Sequence, residues 1–264
     1  MTVIQAVILG IIQGVTEFLP ISSSGHLAIV PYLSGWEQQS LDFDIIVHGA
    51  TLLAILIFYR QRLSSIITTT FSKDPVSRKT SMRLIRNIVL TSVPATLIAL
   101  LLKDTIESNS DNIPVIATAL ISVGIVLVYL ERMFKNTRRL ERIQPGEALF
   151  IGSMQGLALI RGVSRSGITI IGGALAGLSR KEAVDYAFLA SIPVLTGSVV
   201  LTAADIAASG LTEEPHVLLA GFAAAFISGY AAISFLINYV KKHDFAVFGW
   251  YRIILGILLL IIAL

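Results

Sequence analysis

The organisation of this chain is indicated by its first apolar segment, residues 3–33, which reads VIQAVILGIIQGVTEFLPISSSGHLAIVPYL. The segment is apolar for about thirty residues, but a cluster from Pro20 to Gly25 interrupts it near its middle. A membrane span needs about 20 mostly apolar residues, so this segment is too long for one span and too short for two. We therefore predict a re-entrant hairpin, a broken helix that enters the membrane and returns to the same face.

The composition excludes a water-soluble globular domain. Of the 264 residues, 55% are hydrophobic and 14% are charged, and the mean hydropathy is +0.80, values typical of a chain that lies within a bilayer. Because the chain has no cysteine, any catalytic chemistry must come from oxygen and nitrogen groups. The other apolar segments predict six full membrane spans, at about residues 43–59, 84–103, 113–131, 183–206, 217–240 and 247–264.

A second apolar segment, residues 146–178, is interrupted near its middle by a cluster of glycine and serine. When the sequence is shifted by 142 positions, residues 13–15 align with 155–157 and residues 21–25 align with 163–167. Five of the thirteen positions aligned across the break are identical. The match predicts that this segment forms a second re-entrant hairpin and that the chain contains an internal repeat.

The distribution of charge predicts that the two hairpins enter the membrane from opposite faces. Lysine and arginine beside apolar spans mark the cytoplasmic side of a membrane protein. Sixteen of the 20 lysines and arginines lie in four segments, residues 60–86, 132–142, 180–181 and 241–242. Acidic residues predominate in three other loops, residues 37–44, 104–111 and 205–214. If the basic segments are inside and the acidic loops outside, the first hairpin starts from the outer face and the second from the inner face.

We therefore predict an all-α polytopic membrane protein, an inverted-topology repeat with two re-entrant broken-helix hairpins and six full transmembrane spans. Residues 1–135 form the first repeat and residues 145–264 the second, together making one membrane domain. Inverted repeats with discontinuous helices place a polar site near the middle of the bilayer. We expect a multi-pass protein of the cell (plasma) membrane, with both termini and the opening of the site on the outer face. The lipid bilayer surrounds it, and no nucleic-acid partner is expected.

The first break carries the polar residues Gln13, Glu17, Ser22 to Ser24 and His26. A carboxylate inside a membrane costs about 2.5–3.5 kcal/mol, which favours a function for Glu17; capping of the broken helix ends is the alternative. Gln13 lies one helical turn from Glu17 on the same face. The serines are typical helix N-caps, and the free amides of a helix start bind anions. His26 adds a side chain able to exchange protons near neutral pH.

The second break supplies the positive charge that the first lacks. Arg165 offers five donors in a rigid fork suited to phosphate oxygens, and serine hydroxyls and main-chain amides flank it. Two half-helix starts that face each other around Arg165 indicate a clamp for a diphosphate group. The alternative is that Arg165 is only the buried counter-ion of Glu17. The residues expected to bind the phosphates are Gln13, Ser22, Ser24, Gly25, Ser164, Ser166, Gly167 and Thr169.

Three further polar residues, His48, Tyr251 and Arg252, lie near span ends or face other polar groups. Long polar side chains at the ends of spans commonly extend to the interface, with the apolar part of the side chain buried. For these three residues we expect either this arrangement or hydrogen bonding within the core.

Both breaks resemble the motifs of one known family. Gln13 and Glu17 with the following FLPISSSGH at residues 18–26, and GVSRSGIT at residues 162–169, look like the two signatures of the undecaprenyl-pyrophosphate phosphatases, the bacitracin-resistance protein family. Two long motifs in the correct order are far more specific than a single short pattern. The resemblance covers essentially the whole chain.

The resemblance implies hydrolysis of undecaprenyl diphosphate to the monophosphate and inorganic phosphate, which recycles the lipid carrier for cell-wall synthesis and confers bacitracin resistance. It implies Glu17 and His26 as the acid and base, Ser23 as nucleophile or positioning hydroxyl, and Arg165 as the phosphate-binding arginine. The implied cofactor is a divalent cation, Mg²⁺ or Ca²⁺, which Glu17 would bind through the substrate phosphates. The expected partner is the polyprenyl diphosphate lipid, and a homodimer is left open.

One position departs from the family pattern. Arg161 precedes Gly162, whereas the second motif of the family usually begins Pro-Gly. Without proline, the break depends on the conformational freedom of glycine. The added charge is compatible with binding of the distal phosphate, a looser turn or contact with a lipid headgroup.

The sequence is compatible with two chemical routes and two classes of function. Attack by Ser23 and direct attack by water both agree with the groups at the first break. A secondary transporter or polyprenyl-phosphate flippase is the alternative function, because inverted repeats with broken helices are also the architecture of alternating access. The combination of Glu17, Ser23 and His26 favours the enzyme, since a carrier needs binding groups but no proton transfer.

Overall fold

The computed structural model describes residues 1–102, 112–134 and 138–263. Within these residues, all of the named secondary-structure elements are helices. The predicted outer loop at residues 104–111 lies outside the described residues. Eleven α-helices follow one another along the described chain: α1 Val3–Phe18, α2 Ser23–Ser34, α3 Leu41–Phe58, α4 Arg60–Thr70, α5 Pro75–Leu101, α6 Ile113–Tyr129, α7 Pro145–Gly156, α8 Arg165–Leu175, α9 Arg180–Ser209, α10 Pro215–Tyr239 and α11 Ala246–Ile262. Three short 3₁₀ turns occur at Leu130–Met133, Leu140–Arg142 and Leu157–Leu159.

Five of these helices, α3, α5, α6, α9 and α10, are long and apolar enough to cross a membrane. Helices α1 and α11 are shorter but also apolar. The chain is therefore an all-helical, multi-pass membrane protein by the length and composition of its described helices. Each of the six predicted spans overlaps one described helix, and the last of them overlaps α11, which has 17 residues and is not among the five long helices.

Each segment predicted to be a broken hairpin contains two helices in place of one. Helix α1 ends at Phe18 and α2 begins at Ser23, while α7 and the following 3₁₀ turn are separated from α8 by a second break. Ser22 and Ser164 are the N-caps of α2 and α8, with φ angles of 79° and 75°. They are the only described residues other than glycine with positive φ, a conformation that costs about 1–3 kcal/mol. The surrounding packing must therefore hold both breaks in place.

The halves of the sequence are interleaved in the packing. Helix α1 packs on α10, and α7 packs on α5, so each broken segment lies against a long helix from the other half of the chain. Close contact requires small residues: a Cβ atom added at Gly10 would lie 2.5 Å from the carbonyl oxygen of Gly221. Helices α3 and α9 also pack together, as do α6 and α11. These contacts bring the two breaks to one place in the interior.

The largest apolar cluster surrounds this meeting point. Phe18, at the end of α1, packs edge-on against Phe188 of α9, with ring centroids 5.5 Å apart. Ile168 of α8 belongs to the same buried cluster. Burial of large apolar side chains around the breaks excludes water from most of their surface and fixes the ends of the half-helices.

Candidate active site

The two breaks are joined directly by hydrogen bonds. The hydroxyl oxygen of Ser22 accepts from the main-chain N–H of Gly25 at 3.3 Å, as an N-cap does, and also from that of Gly162 at 3.2 Å. In return, the Ser166 hydroxyl donates to the carbonyl oxygen of Leu19 at 3.2 Å. The start of each half-helix is therefore tied to the other break, as the sequence predicts for a site where the breaks meet.

Arg252 of α11 is a second link between the breaks. It is fully buried, and its guanidinium donates to the carbonyl oxygens of Pro20 at 3.0 Å, Gly162 at 2.6 Å and Val163 at 3.0 Å. Two longer bonds reach carbonyl oxygens of α6. Of the two roles expected for Arg252, the structure shows hydrogen bonding within the core and not extension to the interface.

Glu17 lies at the centre of the polar groups and bonds residues of both motifs. Its Oε1 accepts from the Nη2 of Arg165 at 2.5 Å. Its Oε2 accepts from the hydroxyl of Ser23, in a short hydrogen bond, and from the Nε2 of Gln13 at 3.1 Å. The carboxylate is buried, and this set of donors compensates for its removal from water. The ion pair considered as an alternative for Arg165 is present, and in the same arrangement the carboxylate accepts a hydrogen bond from Ser23.

Arg165 keeps hydrogen-bonding capacity beyond its pair with Glu17. Its Nη1 makes a long bond of 3.4 Å to the carbonyl oxygen of Ser191, and its Nε is buried without a hydrogen-bond partner in the described part of the chain. The Oε1 of Gln13 is also buried and unpaired there. Because an unpaired buried polar atom costs about 1–3 kcal/mol, these atoms favour the binding of a polar ligand.

The two half-helices present main-chain amides at the same place. Ser23 and Ser24 are the first residues of α2, and Arg165 and Ser166 are the first of α8. The first amides of a helix have no carbonyl within the helix to bond, and the helix dipole adds partial positive charge there. Two such helix starts with a guanidinium between them are suited to a doubly charged phosphate group.

His26 is held in the site by both of its ring nitrogens. Its Nδ1 lies 2.7 Å from the carbonyl oxygen of Ser22, and its Nε2 lies 2.7 Å from the hydroxyl of Tyr251 on α11. No hydrogen bond in the described residues joins His26 to Glu17 or Ser23. The expected acid and base are therefore separate: Glu17 contacts the serine, whereas His26 contacts a tyrosine that the sequence analysis assigned no chemical role.

The other residues expected to bind phosphate take different positions. Ser24 is half-buried at the start of α2. The Ser164 hydroxyl accepts from the N–H of Gly167 and lies 3.2 Å from the hydroxyl of Ser166. Thr169 donates to the Oε1 of Gln155 at 3.4 Å and has no hydrogen bond to the cluster around Glu17. Thr169, about one turn into α8, therefore forms a separate buried pair with Gln155 at the end of α7.

The sequence analysis assigned no place in the site to Gln155 or Tyr251, although hydrogen bonding within the core was one of the two arrangements expected for Tyr251. Gln155 is buried with an unpaired Nε2 in the described part of the chain, and its alignment with Gln13 in the repeat was a signal that could have identified it. Tyr251 carries no such signal, because 225 positions separate it from His26. Only the packing of α11 brings the two side chains together.

The donor set around Glu17 fits a divalent cation only together with a substrate. In the described residues, no three histidine, aspartate or glutamate side chains come close enough to hold a metal ion. Among the carboxylates that the structure describes, Glu17 alone bonds groups of both breaks. Mg²⁺ is commonly bound by one or two carboxylates together with substrate phosphates, and Glu17 suits that mode.

Comparisons with known proteins agree on one family. The family model described as "Bacitracin resistance protein BacA" matches residues 6–258. The chain is 39% identical over 264 residues to the undecaprenyl-diphosphatase of Alteromonas mediterranea, covering 98% of each protein. It is also 40% identical over 264 residues to the undecaprenyl-diphosphatase of Elusimicrobium minutum, covering 100% of this chain and 99% of that protein. The similarity to these proteins includes both breaks.

Proposed function

The chain belongs to the bacitracin resistance protein BacA family, and we infer that it is an enzyme, an undecaprenyl-diphosphatase, which converts undecaprenyl diphosphate to undecaprenyl phosphate and inorganic phosphate. The observation that carries this function is the position of Glu17, bonded to Ser23 of one motif and to Arg165 of the other. A lipid carrier protein needs only groups that bind its cargo. A hydroxyl paired with a carboxylate supplies a nucleophile and its base. The product is the lipid carrier of cell-wall synthesis, and its regeneration confers resistance to bacitracin.

Binding of the diphosphate is assigned to Arg165 and the two helix starts. The unpaired Nε of Arg165 and its Nη2 form the edge of the guanidinium that can bond two phosphate oxygens at once. The amides of Ser23 and Ser24, the first residues of α2, are proposed to bind the phosphates beside the guanidinium. When Arg165 turns to the phosphate, its bond to Glu17 weakens, so substrate binding frees the carboxylate to accept a proton.

Ser23 is proposed as the nucleophile. Its hydroxyl already donates to Glu17, so the proton passes to that carboxylate while the serine oxygen attacks the terminal phosphorus. The bond from this phosphorus to the bridging oxygen breaks, and undecaprenyl phosphate leaves with the bridging oxygen. Water then hydrolyses the phosphoserine and releases inorganic phosphate. The positive charge of Arg165 and the helix amides stabilise the charge on the transferred phosphoryl group.

A divalent cation, Mg²⁺ or Ca²⁺, is proposed to bind with the substrate. Glu17 would be its protein ligand, and phosphate oxygens would complete its coordination. When bound, the cation neutralises charge on the phosphate oxygens. In the described residues no group of three or more histidine, aspartate or glutamate side chains could hold a metal ion, so this cation is expected to bind weakly to the protein alone.

The proposed activity is tested with protein purified in detergent and undecaprenyl diphosphate as substrate. The wild type should release inorganic phosphate, and a Glu17→Gln variant should lose about 10²–10⁴-fold in rate because proton transfer is removed. The matched control is Gln5→Glu, which changes a half-buried residue of the same helix that caps its start and should keep activity. Absence of phosphate release by a folded wild type would contradict the enzyme and favour the transporter or flippase.

The proposed architecture is an inverted repeat of residues 1–135 and 145–264, with two re-entrant hairpins and six spans. Two observations support it. A shift of 142 positions places α1 on α7 and α10 on α5, and the contact of α1 with α10 matches that of α7 with α5. The N-caps Ser22 and Ser164, which the same shift aligns, have nearly equal φ angles. With the basic loops inside, both termini and the opening of the site face outward.

A further inference from the structure

Tyr251 lies outside both motifs, yet it contacts His26, one of the two residues expected to transfer protons in the reaction. It belongs to α11, and its hydroxyl is 2.7 Å from the Nε2 of His26. The two rings are nearly parallel, with an angle of 7° between their planes and 5.7 Å between their centroids. Tyrosines near the end of a membrane helix usually direct the hydroxyl to the water interface. Here the hydroxyl points at an imidazole instead, which indicates a role beyond anchoring.

The partners of His26 determine which of its nitrogens carries the proton. The carbonyl oxygen of Ser22, 2.7 Å from Nδ1, can only accept a hydrogen bond. Nδ1 must therefore carry hydrogen. In the neutral imidazole Nε2 then has a lone pair, and the Tyr251 hydroxyl donates to it. Because both ring nitrogens are hydrogen-bonded, the orientation of the imidazole is fixed as well as its tautomer.

We propose that Tyr251 is a positioning residue of the diphosphatase reaction, holding His26 in the Nδ1-protonated tautomer through the hydrogen bond from its hydroxyl to Nε2. This inference rests on the proposed function. A base oriented by a third group recurs in enzymes, where loss of the orienting group lowers turnover without removing the base. Tyr251 is 44% exposed, whereas the imidazole that it contacts is buried.

The neighbour of Tyr251 holds it in place. Arg252 is fully buried and bonds the carbonyl oxygens of Pro20, Gly162 and Val163. These bonds fix the turn of α11 that carries both residues relative to both breaks. Since Ser22 and His26 belong to one of those breaks, the distance from Tyr251 to His26 is set by the same anchor.

Kinetics of Tyr251→Phe test the proposal in the full-length protein. Loss of the hydroxyl removes one hydrogen bond to His26, so kcat should fall about 3–10-fold, whereas KM for undecaprenyl diphosphate should stay within about twofold. The matched control is Tyr230→Phe, because the Tyr230 hydroxyl makes no hydrogen bond in the described part of the chain and its ring packs on Phe58. Equal kcat for Tyr251→Phe and wild type would overturn the proposal.

A double-mutant cycle shows whether Tyr251 acts through His26. In a His26→Ala background, Tyr251→Phe should cause no further loss, because the residue that it positions is already absent. Independent, multiplying losses would overturn the positioning role and give Tyr251 a separate function. Failure of the proposed function is distinguishable, since then the wild type itself would release no phosphate.

Nitrogen NMR of histidine-labelled protein gives a measurement that needs no activity. The chain has 4 histidines, so the His26→Ala variant identifies the signals of His26. The wild type should show a protonated Nδ1 and an unprotonated, hydrogen-bonded Nε2 in the neutral ring. In Tyr251→Phe the Nε2 signal should shift, whereas Tyr230→Phe should leave it in place. A wild-type His26 protonated on Nε2, or an unshifted signal in Tyr251→Phe, would overturn the proposal.

Discussion

The guanidinium of Arg165 lies 2.5 Å from the carboxylate of Glu17, across 148 positions of sequence. Each residue is next to a helix break, and the two breaks come from opposite halves of the chain. Removing one partner of such a buried pair leaves an uncompensated charge, which costs about 3–5 kcal/mol. Each of the two buried charges therefore depends on the other, and the same guanidinium is the group proposed to bind the substrate.

Arg165→Lys should lower turnover by about 10²-fold or more, because a point charge cannot reproduce the fork that bonds two phosphate oxygens. Lysine keeps a positive charge near Glu17, so the protein should still fold. Phosphate release is measured beside the melting temperature in detergent. Near-normal turnover in a folded Arg165→Lys protein would reduce Arg165 to a structural counter-ion.

Ser23→Ala should abolish essentially all hydrolysis, since loss of a nucleophile costs orders of magnitude in rate. The neighbouring variant Ser24→Ala is the comparison, because no hydrogen bond joins Ser24 to Glu17 in the described residues, and it should lose much less. Phosphate release from undecaprenyl diphosphate is measured for both. If Ser23→Ala keeps a tenth or more of wild-type turnover, water is the attacking group and Glu17 is its base.

Arg252→Gln should destabilise the protein by at least about 3 kcal/mol, because several buried carbonyl oxygens of the two breaks lose their donor. Thermal unfolding in detergent measures the loss. Lys79→Gln, at an exposed position of α5, removes a positive charge without affecting the breaks and should leave the melting temperature unchanged. Equal melting temperatures for both variants would contradict the anchoring role of Arg252.

Arg161→Pro, which restores the usual family residue, should be tolerated in both folding and activity. The residue before a proline must be extended, and Ile160 already has φ −74° and ψ 117°. The residue before position 161 therefore already has the conformation that a following proline requires. Phosphate release should stay within a few-fold of wild type; a complete loss would place the Arg161 side chain in the substrate site.

Single cysteines at Ser34 and Lys181 should label from opposite sides of the membrane. Both positions are exposed, at the end of α2 and the start of α9, and the wild type has no cysteine to give background. An impermeant maleimide applied to intact cells should reach the first cysteine, and the second only after the membrane is opened. Labelling of both from the same side would contradict the inverted repeat.

The positions of the helix breaks could be predicted from the sequence, because local residues determine them. Pro20 removes a main-chain donor, Ser22 and Ser164 cap new helices, and Gly162 accepts the φ of 98° found there. The contact of Glu17 with Ser23 was also within reach, since the two residues are six positions apart on either side of one break. Their proximity follows from the chain itself.

The pairing of residues across the molecule was decided by the tertiary structure. Arg165 meets Glu17, Tyr251 meets His26, and Arg252 meets the carbonyl oxygens of both breaks only because α1 packs on α10 and α11 packs on α6. The repeat predicts that the breaks meet, but the periodicity of one helix contains no information on which side chain of another helix will face it. That choice depends on the close packing of whole helices, through small residues such as Gly10 and Gly221.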